Sequence, residues 1–185
     1  MNDKPQLEQY IEYGLHGIPE IRGEEKKHWL GEFRERVLFG LTFQQIARKD
    51  AIFVVEEKIK DSKVKKVIVS SNVNAKIAGE YMALAGKNQK DFKIIDFPER
   101  KGDVALILAS DEAVNVDDVI PDQKSFLPDA FYAAIGEKLC EKHMEELEHA
   151  APQYAHHFEK VTLFDKMVGI KCGMCEKSGG VMSPE

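Results

Sequence analysis

The sequence predicts an α/β protein built around a three-layer mixed sheet, with its elements in the order β-α-β-α-β-β. Residues 37–41, 66–70 and 104–109 are short apolar runs that lack the polar–apolar alternation of half-exposed strands. Such runs are typical of strands whose two faces are both covered by helices. Helical spacing of apolar residues between the runs predicts those covering layers. Over the whole chain 43% of residues are hydrophobic and 31% are charged, as in globular domains.

The N-terminal segment, residues 1–30, is polar and rich in glycine. Apolar residues recur at helical spacing between positions 7 and 13, which predicts a short amphipathic helix there. We expect the rest of this lead-in to be an ordered loop, and Trp29 and Leu30 to anchor it on the domain.

The first predicted strand, residues 37–41, runs directly into a helix start. Thr42 and Gln45 have the spacing of a capping box, in which a hydroxyl and an amide bind the free backbone groups of the first turn. A helix over about residues 43–60 should follow, although the Ile-Phe-Val-Val segment within it has a high strand propensity.

The second predicted strand, residues 66–70, also leads into a helix. Asn72 and Asn74 are both suitable N-caps for a helix over residues 75–85. Gly86 is a suitable residue for the end of that helix, because glycine readily adopts the left-handed conformation found there.

Two further strands are predicted at residues 92–97 and 104–109. The six residues between them are too few for a parallel crossover, so these strands should be antiparallel if they pair. A linker containing Pro121 and Pro128 then leads to a long helix over about residues 129–149.

These elements divide the chain into three parts. Residues 1–30 are a segment packed on the domain, residues 31–125 are the α/β core, and residues 126–185 are a helical C-terminal extension. The extension ends in a tail that contains cysteine and histidine.

The segment over residues 30–37 reads Leu-Gly-Glu-Phe-Arg-Glu-Arg-Val and leads into the first strand. It resembles the signature of the YueI-like family of small bacterial proteins. This resemblance covers roughly residues 7–135 and implies a Bacillus chorismate mutase-like architecture. It implies no particular reaction, and a shared fold would not supply one.

Charge and composition limit the classes of protein to which this chain can belong. The formal net charge is −6, so long-range attraction to nucleic-acid phosphates is not the default. The N-terminus lacks the apolar core of a signal peptide, and no run approaches the roughly 20 apolar residues of a membrane span. Three cysteines, an odd number, fit a reducing compartment. We therefore expect a cytoplasmic protein without a membrane partner.

Cysteines and histidines concentrate towards the C-terminus. Cys172-Gly-Met-Cys175 has the two-residue gap of a zinc knuckle, and Cys140 and His143 are three residues apart. Together these residues form a Cys3His set that predicts one tetrahedral metal site, with zinc as the expected ion. Two alternatives remain open. One is a core cysteine and a core histidine bonded to a carbonyl group, and the other is a redox-active dithiol.

Six polar residues are candidates for binding a ligand. Some follow the predicted strands, and the carboxyl ends of strands are where open α/β sheets place ligands. Others are arginines beside the first strand, which could clamp an anion or could form a structural ion pair that fastens the lead-in. The six residues are Arg34, Arg36, Thr42, Asn72, Asn74 and Asn115.

We expect a non-catalytic binding or interaction module whose partner the sequence does not identify. One alternative is an enzyme of unassigned reaction with its site at the strand carboxyl ends. A second is an RNA binder, because the element order is similar to that of kink-turn-binding ribosomal proteins. Those proteins carry Gly-x-Asn-Glu after the first strand, whereas residues 40–44 here read Gly-Leu-Thr-Phe-Gln. We therefore do not expect RNA binding. An apolar edge strand would favour self-association.

Overall fold

The computed structural model describes residues 23–96 and 102–177. The helix predicted over residues 7–13 lies outside the described residues, as does most of the lead-in. The same is true of most of the connection between the last two predicted strands.

A four-stranded mixed sheet forms the centre of the molecule. Its strands are β1 (Val37–Thr42), β2 (Lys66–Ser70), β3 (Asp91–Ile95) and β4 (Val104–Ala109), in the order β1-β4-β2-β3. β4 runs antiparallel to both of its neighbours, and β2 and β3 are parallel. The predicted mixed α/β sheet is therefore confirmed.

The last two strands of the sheet do not pair with each other, because β2 lies between them. All six residues of β4 are buried, whereas most of β3 is exposed or half-buried. The apolar strand therefore takes an interior position and the more polar strand takes an edge.

Helix starts in the core follow the predicted caps. α1 (Gly23–His28) and a 3-10 turn (Arg34–Arg36) precede the sheet, and α2 (Phe43–Ile46) begins at Thr42. Thr42 accepts a hydrogen bond from the amide of Gln45 at 3.2 Å, and the Gln45 side chain accepts one from the amide of Thr42 at 3.0 Å. This confirms the capping box.

The helix predicted over residues 43–60 is wrong as one continuous element. It is interrupted, and its second part is α3 (Ala51–Lys58). The interruption turns the side chain of Asp50 into the interior, where the carboxylate accepts hydrogen bonds from Arg48 at 2.9 Å and from the amide of Leu127 at 3.0 Å. A bond to a residue so far along the chain could not be read from local spacing.

The second core helix, α4 (Ala75–Lys87), starts at Asn74, whose side chain accepts a hydrogen bond from the amide of Lys76 at 2.9 Å. This predicted cap is confirmed. Gly86 lies inside the helix and does not end it, because the side chain of Asn88 donates to the carbonyl of Leu84 at 2.9 Å and extends the last turn.

The C-terminal extension consists of short elements. They are α5 (Asp129–Tyr132), β5 (Lys138–Leu139), α6 (Glu141–Ala150), a 3-10 segment (Pro152–His157), β6 (Glu159–Lys160), α7 (Leu163–Met167) and α8 (Gly173–Lys177). The long helix predicted over residues 129–149 is therefore wrong. Gly136 adopts a positive φ of 84°, which ends the first turn of helix and lets the chain enter β5.

The main hydrophobic cluster lies on one face of the sheet. Val67 and Leu106 pack there under α3 and α4, and the same cluster continues into Phe126, Leu139 and Leu147 of the extension. The extension thus shares a core with the sheet.

The opposite face of the sheet is covered by irregular segments in the part of the chain that the structure describes. Ile68 and Ile107 pack there against Leu30 and Val119, with Trp29 at the edge of the cluster. The predicted anchoring by Trp29 and Leu30 is confirmed. Among the described residues, loops supply most of the apolar contacts on this side, in place of the helices expected there. Among the described residues no helix has both the length and the apolar character needed to cross a bilayer.

Candidate metal centre

Two separate parts of the extension bring four side chains together. Cys140 is the N-cap of α6 and His143 lies in the first turn of that helix, while Cys172 and Cys175 lie at the start of α8 and within it. Their ligand atoms all lie within 4.8 Å of one another. These are the four residues that the sequence spacing singled out.

Four of the six separations between these atoms are close to the edges of a tetrahedron around one metal ion, and all six are within 4.8 Å. His143 Nδ1 lies 3.3 Å from the sulfur atoms of Cys140 and Cys172 and 3.6 Å from that of Cys175. The sulfur atoms of Cys140 and Cys175 are 4.0 Å apart. Tetrahedral zinc, with the usual Zn–S and Zn–N bonds, requires edges of about 3.8 Å between sulfurs and about 3.6 Å between sulfur and nitrogen.

The thiols differ in their protonation. Burial opposes ionisation of Cys172, but hydrogen bonds from the backbone of Cys140 and Cys175 and from His143 lower its pKa to about 6. Burial and the hydrogen bond with Cys172 raise the pKa of Cys175 to about 11. The surroundings of Cys172 therefore favour its thiolate, which is the form of cysteine that binds metal. A bound cation would lower the pKa of the remaining thiol.

Two neighbours support the arrangement of the ligand atoms. Nε2 of His143 lies 3.9 Å from a carboxylate oxygen of Glu146, so the ring presents its other nitrogen to the sulfurs. A carboxylate in this place is common behind metal-binding histidines. A Cβ atom added at Gly173 would collide with the side chain of Glu137, so glycine allows the close approach of the Cys-x-x-Cys turn. Sequence reasoning missed Glu146, although its three-residue spacing from His143 could have revealed it.

The six predicted ligand-binding residues do not form one site. Thr42 pairs with Val104 at the first residue of β4, so Thr42 and the two asparagines after β2 lie at that end of the sheet. The arginines before β1 and Asn115 after β4 lie at the opposite end, because Val37 pairs with Ala109. An antiparallel β4 places its own carboxyl end away from those of its neighbours.

The two arginines take part in structural contacts. Arg34 donates hydrogen bonds to the backbone carbonyl groups of Val116, at 2.6 Å, and of Asp117. Arg36 lies 4.0 Å from the carboxylate of Glu32. The bonds from Arg34 fasten the segment before β1 to the loop that follows β4, whereas the Arg36 pair lies within that segment.

The remaining candidates take part in local backbone contacts. Thr42 and Asn74 cap helices, the amide of Asn72 donates to the hydroxyl of Ser70 at 3.3 Å, and the amide of Asn115 donates to the carbonyl of Glu35 at 3.2 Å. An open groove of about 530 Å³ beside β1 contains none of the six candidates. It is lined by Leu38, Phe39, Glu57, Lys58, Lys60, Asp61 and Val116.

Comparison with known proteins identifies relatives of the α/β part. A family described as "Protein of unknown function (DUF1694)" matches residues 4–120. "Uncharacterized protein YueI" of Bacillus subtilis (strain 168) is 26% identical over 109 residues, which are 59% of this chain and 83% of YueI. The crystal structure of the YueI protein from Bacillus subtilis is similar with a TM-score of 0.53 at 23% identity, over 66% of this chain and 95% of YueI. At that identity the structural likeness shows the fold alone.

The family match ends at residue 120, before the four clustered side chains begin at Cys140. The family match therefore supports the assignment of the sheet and gives no information about the cluster. Within the matched range lie all four strands of the sheet, together with the segment over residues 30–37 that carries the resemblance. The chain therefore belongs to the YueI-like family, whose sequence profile is DUF1694.

Proposed function

We propose that this protein is a cytoplasmic, non-catalytic interaction module in which one structural zinc ion holds the C-terminal extension together. The ligands are Cys140, His143, Cys172 and Cys175. The relation to Bacillus chorismate mutase remains a prediction about architecture and brings no mutase activity with it.

The convergence of four protein ligand atoms carries this proposal. Structural zinc sites are closed by four side chains, whereas catalytic zinc sites keep a position for water or substrate. Three sulfurs and one imidazole nitrogen at the separations given above complete a tetrahedron. A reducing compartment would keep these thiols available for zinc.

Zinc would join short segments in addition to the apolar contacts that Leu139 and Cys172 make with the main cluster. α8 has five residues and β5 has two, and isolated elements of that length are not stable in water. The ion would tie Cys172 and Cys175 of the final turn to the start of α6. The extension would then present a fixed surface beside the sheet.

The dithiol alternative is less well supported by the geometry. The thiol with the lowered pKa is Cys172, which is 6% exposed and so is shielded from a disulfide substrate, whereas Cys175 is exposed. A reactive cysteine is normally the accessible one. Neither a dithiol nor a pair of core residues requires Cys140 and His143 to join the same cluster.

Native mass spectrometry of the untagged protein, purified without chelator, tests the proposal. We expect one zinc ion per chain and three reduced cysteines, with the metal lost after denaturation in chelator. Metal-free protein with three free thiols would contradict the zinc site and favour core residues. Metal-free protein with a reversible Cys172–Cys175 disulfide would contradict it and favour the dithiol.

A further inference from the structure

The strand β3 lies at one side of the sheet, and in the part of the chain that the structure describes no strand is bonded to its outer edge. The amide of Asp91 and the carbonyl of Ile95 form hydrogen bonds of 3.0 and 2.9 Å with the residues that flank β2. Backbone groups of a strand point to its two sides at alternate residues, so those of Phe92 and Ile94 point away from β2. β3 therefore offers the N–H and C=O groups of both residues to a further strand.

The side chains at this edge are apolar on the face of the sheet that α4 covers. Phe92 packs against the main cluster, and Ile94, two residues later on the same face, is 55% exposed. Met82 of α4 is also 55% exposed. It lies between Ala78 and Ala85 on the helix surface, because residues three and four apart are neighbours there.

The flank of α4 that carries Met82 faces the open edge of the sheet. The opposite flank carries Lys87, which forms an ion pair of 3.3 Å with Glu56 of α3. α4 packs on β2 and β3, while α3 lies on its inner side, next to α2 on β1 and β4. The neighbours of Met82 on the outer flank are small and uncharged, namely Ala75, Gly79 and Gly86.

We propose that β3 pairs antiparallel with β3 of a second copy of this chain, so that two four-stranded sheets become one continuous sheet. This inference rests on the proposed interaction role and names the partner. A two-fold contact uses the same surface of both copies. Addition of a strand at an open sheet edge is a recurrent form of recognition, because main-chain hydrogen bonds supply the affinity.

The charges on β3 select the register of this pairing. Phe92 opposite Phe92 of the second copy forms a hydrogen-bonded pair, because both residues have their backbone groups on the outer edge. Lys93 then lies opposite Asp91 of the second copy, and Asp91 lies opposite its Lys93, which is favourable for opposite charges. Pairing Phe92 with Ile94 would oppose the two copies of Lys93, and pairing Ile94 with itself would oppose Lys93 and Ile95. The first register alone gives two ion pairs.

The position of α4 fits the same arrangement. Strands in a sheet are about 4.8 Å apart, so a helix above the junction of β2 and β3 lies about 2.4 Å inside β3, and the two-fold axis lies about 2.4 Å outside it. The two copies of α4 are then about 10 Å apart, which is the distance at which helices pack. The small residues on the facing flanks allow this approach, and Met82 of each copy enters the contact.

A second copy covers more of this surface than an unrelated extended peptide does. A single added strand would bond to Phe92 and Ile94 and leave the outer flank of α4 in contact with water. A second copy buries Met82 as well, and it supplies the opposite charge to both Asp91 and Lys93. The edge and the helix flank are therefore one self-complementary surface.

Sedimentation velocity of the full-length protein over a series of concentrations tests the inference. We expect a reversible dimer. Lys93→Asp and Asp91→Lys should each weaken it about tenfold or more, because each places like charges opposite one another. An equimolar mixture of these two variants should recover the dimer, because every charge in the mixed pair again faces its opposite. This recovery would also show that both variants fold.

A further variant and a control locate the contact. Met82→Glu should weaken the dimer about tenfold or more, because it buries a charge between the two helices. Lys124→Asp is the control and should leave the dimer unchanged. Lys124 is exposed in a 3-10 turn with Ser125, which lines a groove at the opposite edge of the sheet, beside β1.

Four results would overturn the inference. They are a monomer at the highest concentration, a dimer that Lys93→Asp and Met82→Glu leave unchanged, no recovery in the mixture, and slow amide exchange at Phe92 and Ile94 in dilute monomer. The last result would show that another part of the same chain covers the edge. Zinc content is measured in the same samples, so a zinc-loaded monomer would refute the dimer and leave the metal centre intact. A metal-free dimer would do the reverse.

Discussion

The α/β sheet and the C-terminal extension hold their shapes in different ways. β4 contributes six consecutive buried residues, and α4 packs on β2 and β3 with thirteen residues of continuous helix. The extension has two-residue strands and helices of four to ten residues. Long apolar elements thus hold the sheet, whereas the short elements of the extension combine the shared apolar cluster with polar contacts and, in our proposal, with a metal ion.

The two regions meet at a buried carboxylate. Asp50 is fully buried, accepts two hydrogen bonds from Arg48 at 2.8 and 2.9 Å, and accepts a third from the amide of Leu127. The guanidinium of Arg48 also lies over the rings of Phe126 and Tyr132. Core and extension are thus joined by charge-assisted hydrogen bonds in addition to their shared apolar cluster.

The largest expected effect is the loss of zinc affinity when one metal ligand in the extension is replaced. His143→Asn should reduce zinc affinity by about a hundredfold or more, because a structural zinc site distributes its binding energy over four ligands. A competition titration with a zinc chelator measures this. His149→Asn on the same helix is the control, since His149 is exposed and lies outside the cluster. Equal affinities in the two variants would contradict the assignment of His143.

Removal of the buried carboxylate should weaken both regions together. Asp50→Ala should cost about 3 kcal/mol in the free energy of unfolding, because it leaves Arg48 without its partner and the amide of Leu127 unbonded. Chemical denaturation measures the cost. Glu57→Gln breaks the exposed pair with Lys60 and should cost about 0.5 kcal/mol or less. A cost for Asp50→Ala as small as that of Glu57→Gln would show that the junction contributes little.

Much of the sheet could be predicted because its signals are local. The apolar run after Arg36, the capping box at Thr42 and the N-cap at Asn74 each depend on residues within a few positions of one another. The break before α3 could not be predicted, since it depends on the bond from Asp50 to Leu127. The pairing of β4 with β1 and β2 was also out of reach, because strand order is set by long-range packing.

The four side chains of the cluster could be predicted from the sequence, but the helices and strands that carry them could not. The spacings of Cys140 with His143 and of Cys172 with Cys175 indicated the four side chains. The predicted helix through Cys140 was wrong, because Gly136 ends the preceding turn and Cys140 follows a strand. The helix α7 was not foreseen, although the Thr162-x-x-Asp165 spacing is a sequence signal for its capping box.

The same substitution in each region offers a matched comparison. Thr42→Ala and Thr162→Ala each remove a capping-box hydroxyl and should each cost about 1 kcal/mol. Thr42→Ala should lower the global free energy of unfolding. Thr162→Ala should instead increase hydrogen exchange around α7 and leave exchange in the sheet unchanged. Faster exchange in the sheet after Thr162→Ala would show that the two regions unfold as one unit.

The smallest expected effect is a pH dependence at the contact between the regions. Burial lowers the pKa of His157, which stacks on Phe53 with ring centres 3.9 Å apart and lies beside Glu56 and His156. The folded state favours the neutral ring of His157. Its contribution to the free energy of unfolding is therefore fully present above pH 6.5, the pKa of the ring in the unfolded chain, and is lost as the pH falls below that value. His157→Asn should flatten the decline of unfolding free energy between about pH 7.5 and about pH 5.5. His156→Asn, at the more exposed neighbour, should keep the wild-type slope, and identical slopes in all three proteins would contradict this role.

Hydrogen exchange of the zinc-loaded and the chelated protein tests the central claim most directly. We predict that removing the metal strips protection from residues 138–177 and leaves β1, β2 and β4 as protected as before. Equal protection of residues 138–177 with and without metal would contradict it, because the extension would then hold its shape without the ion.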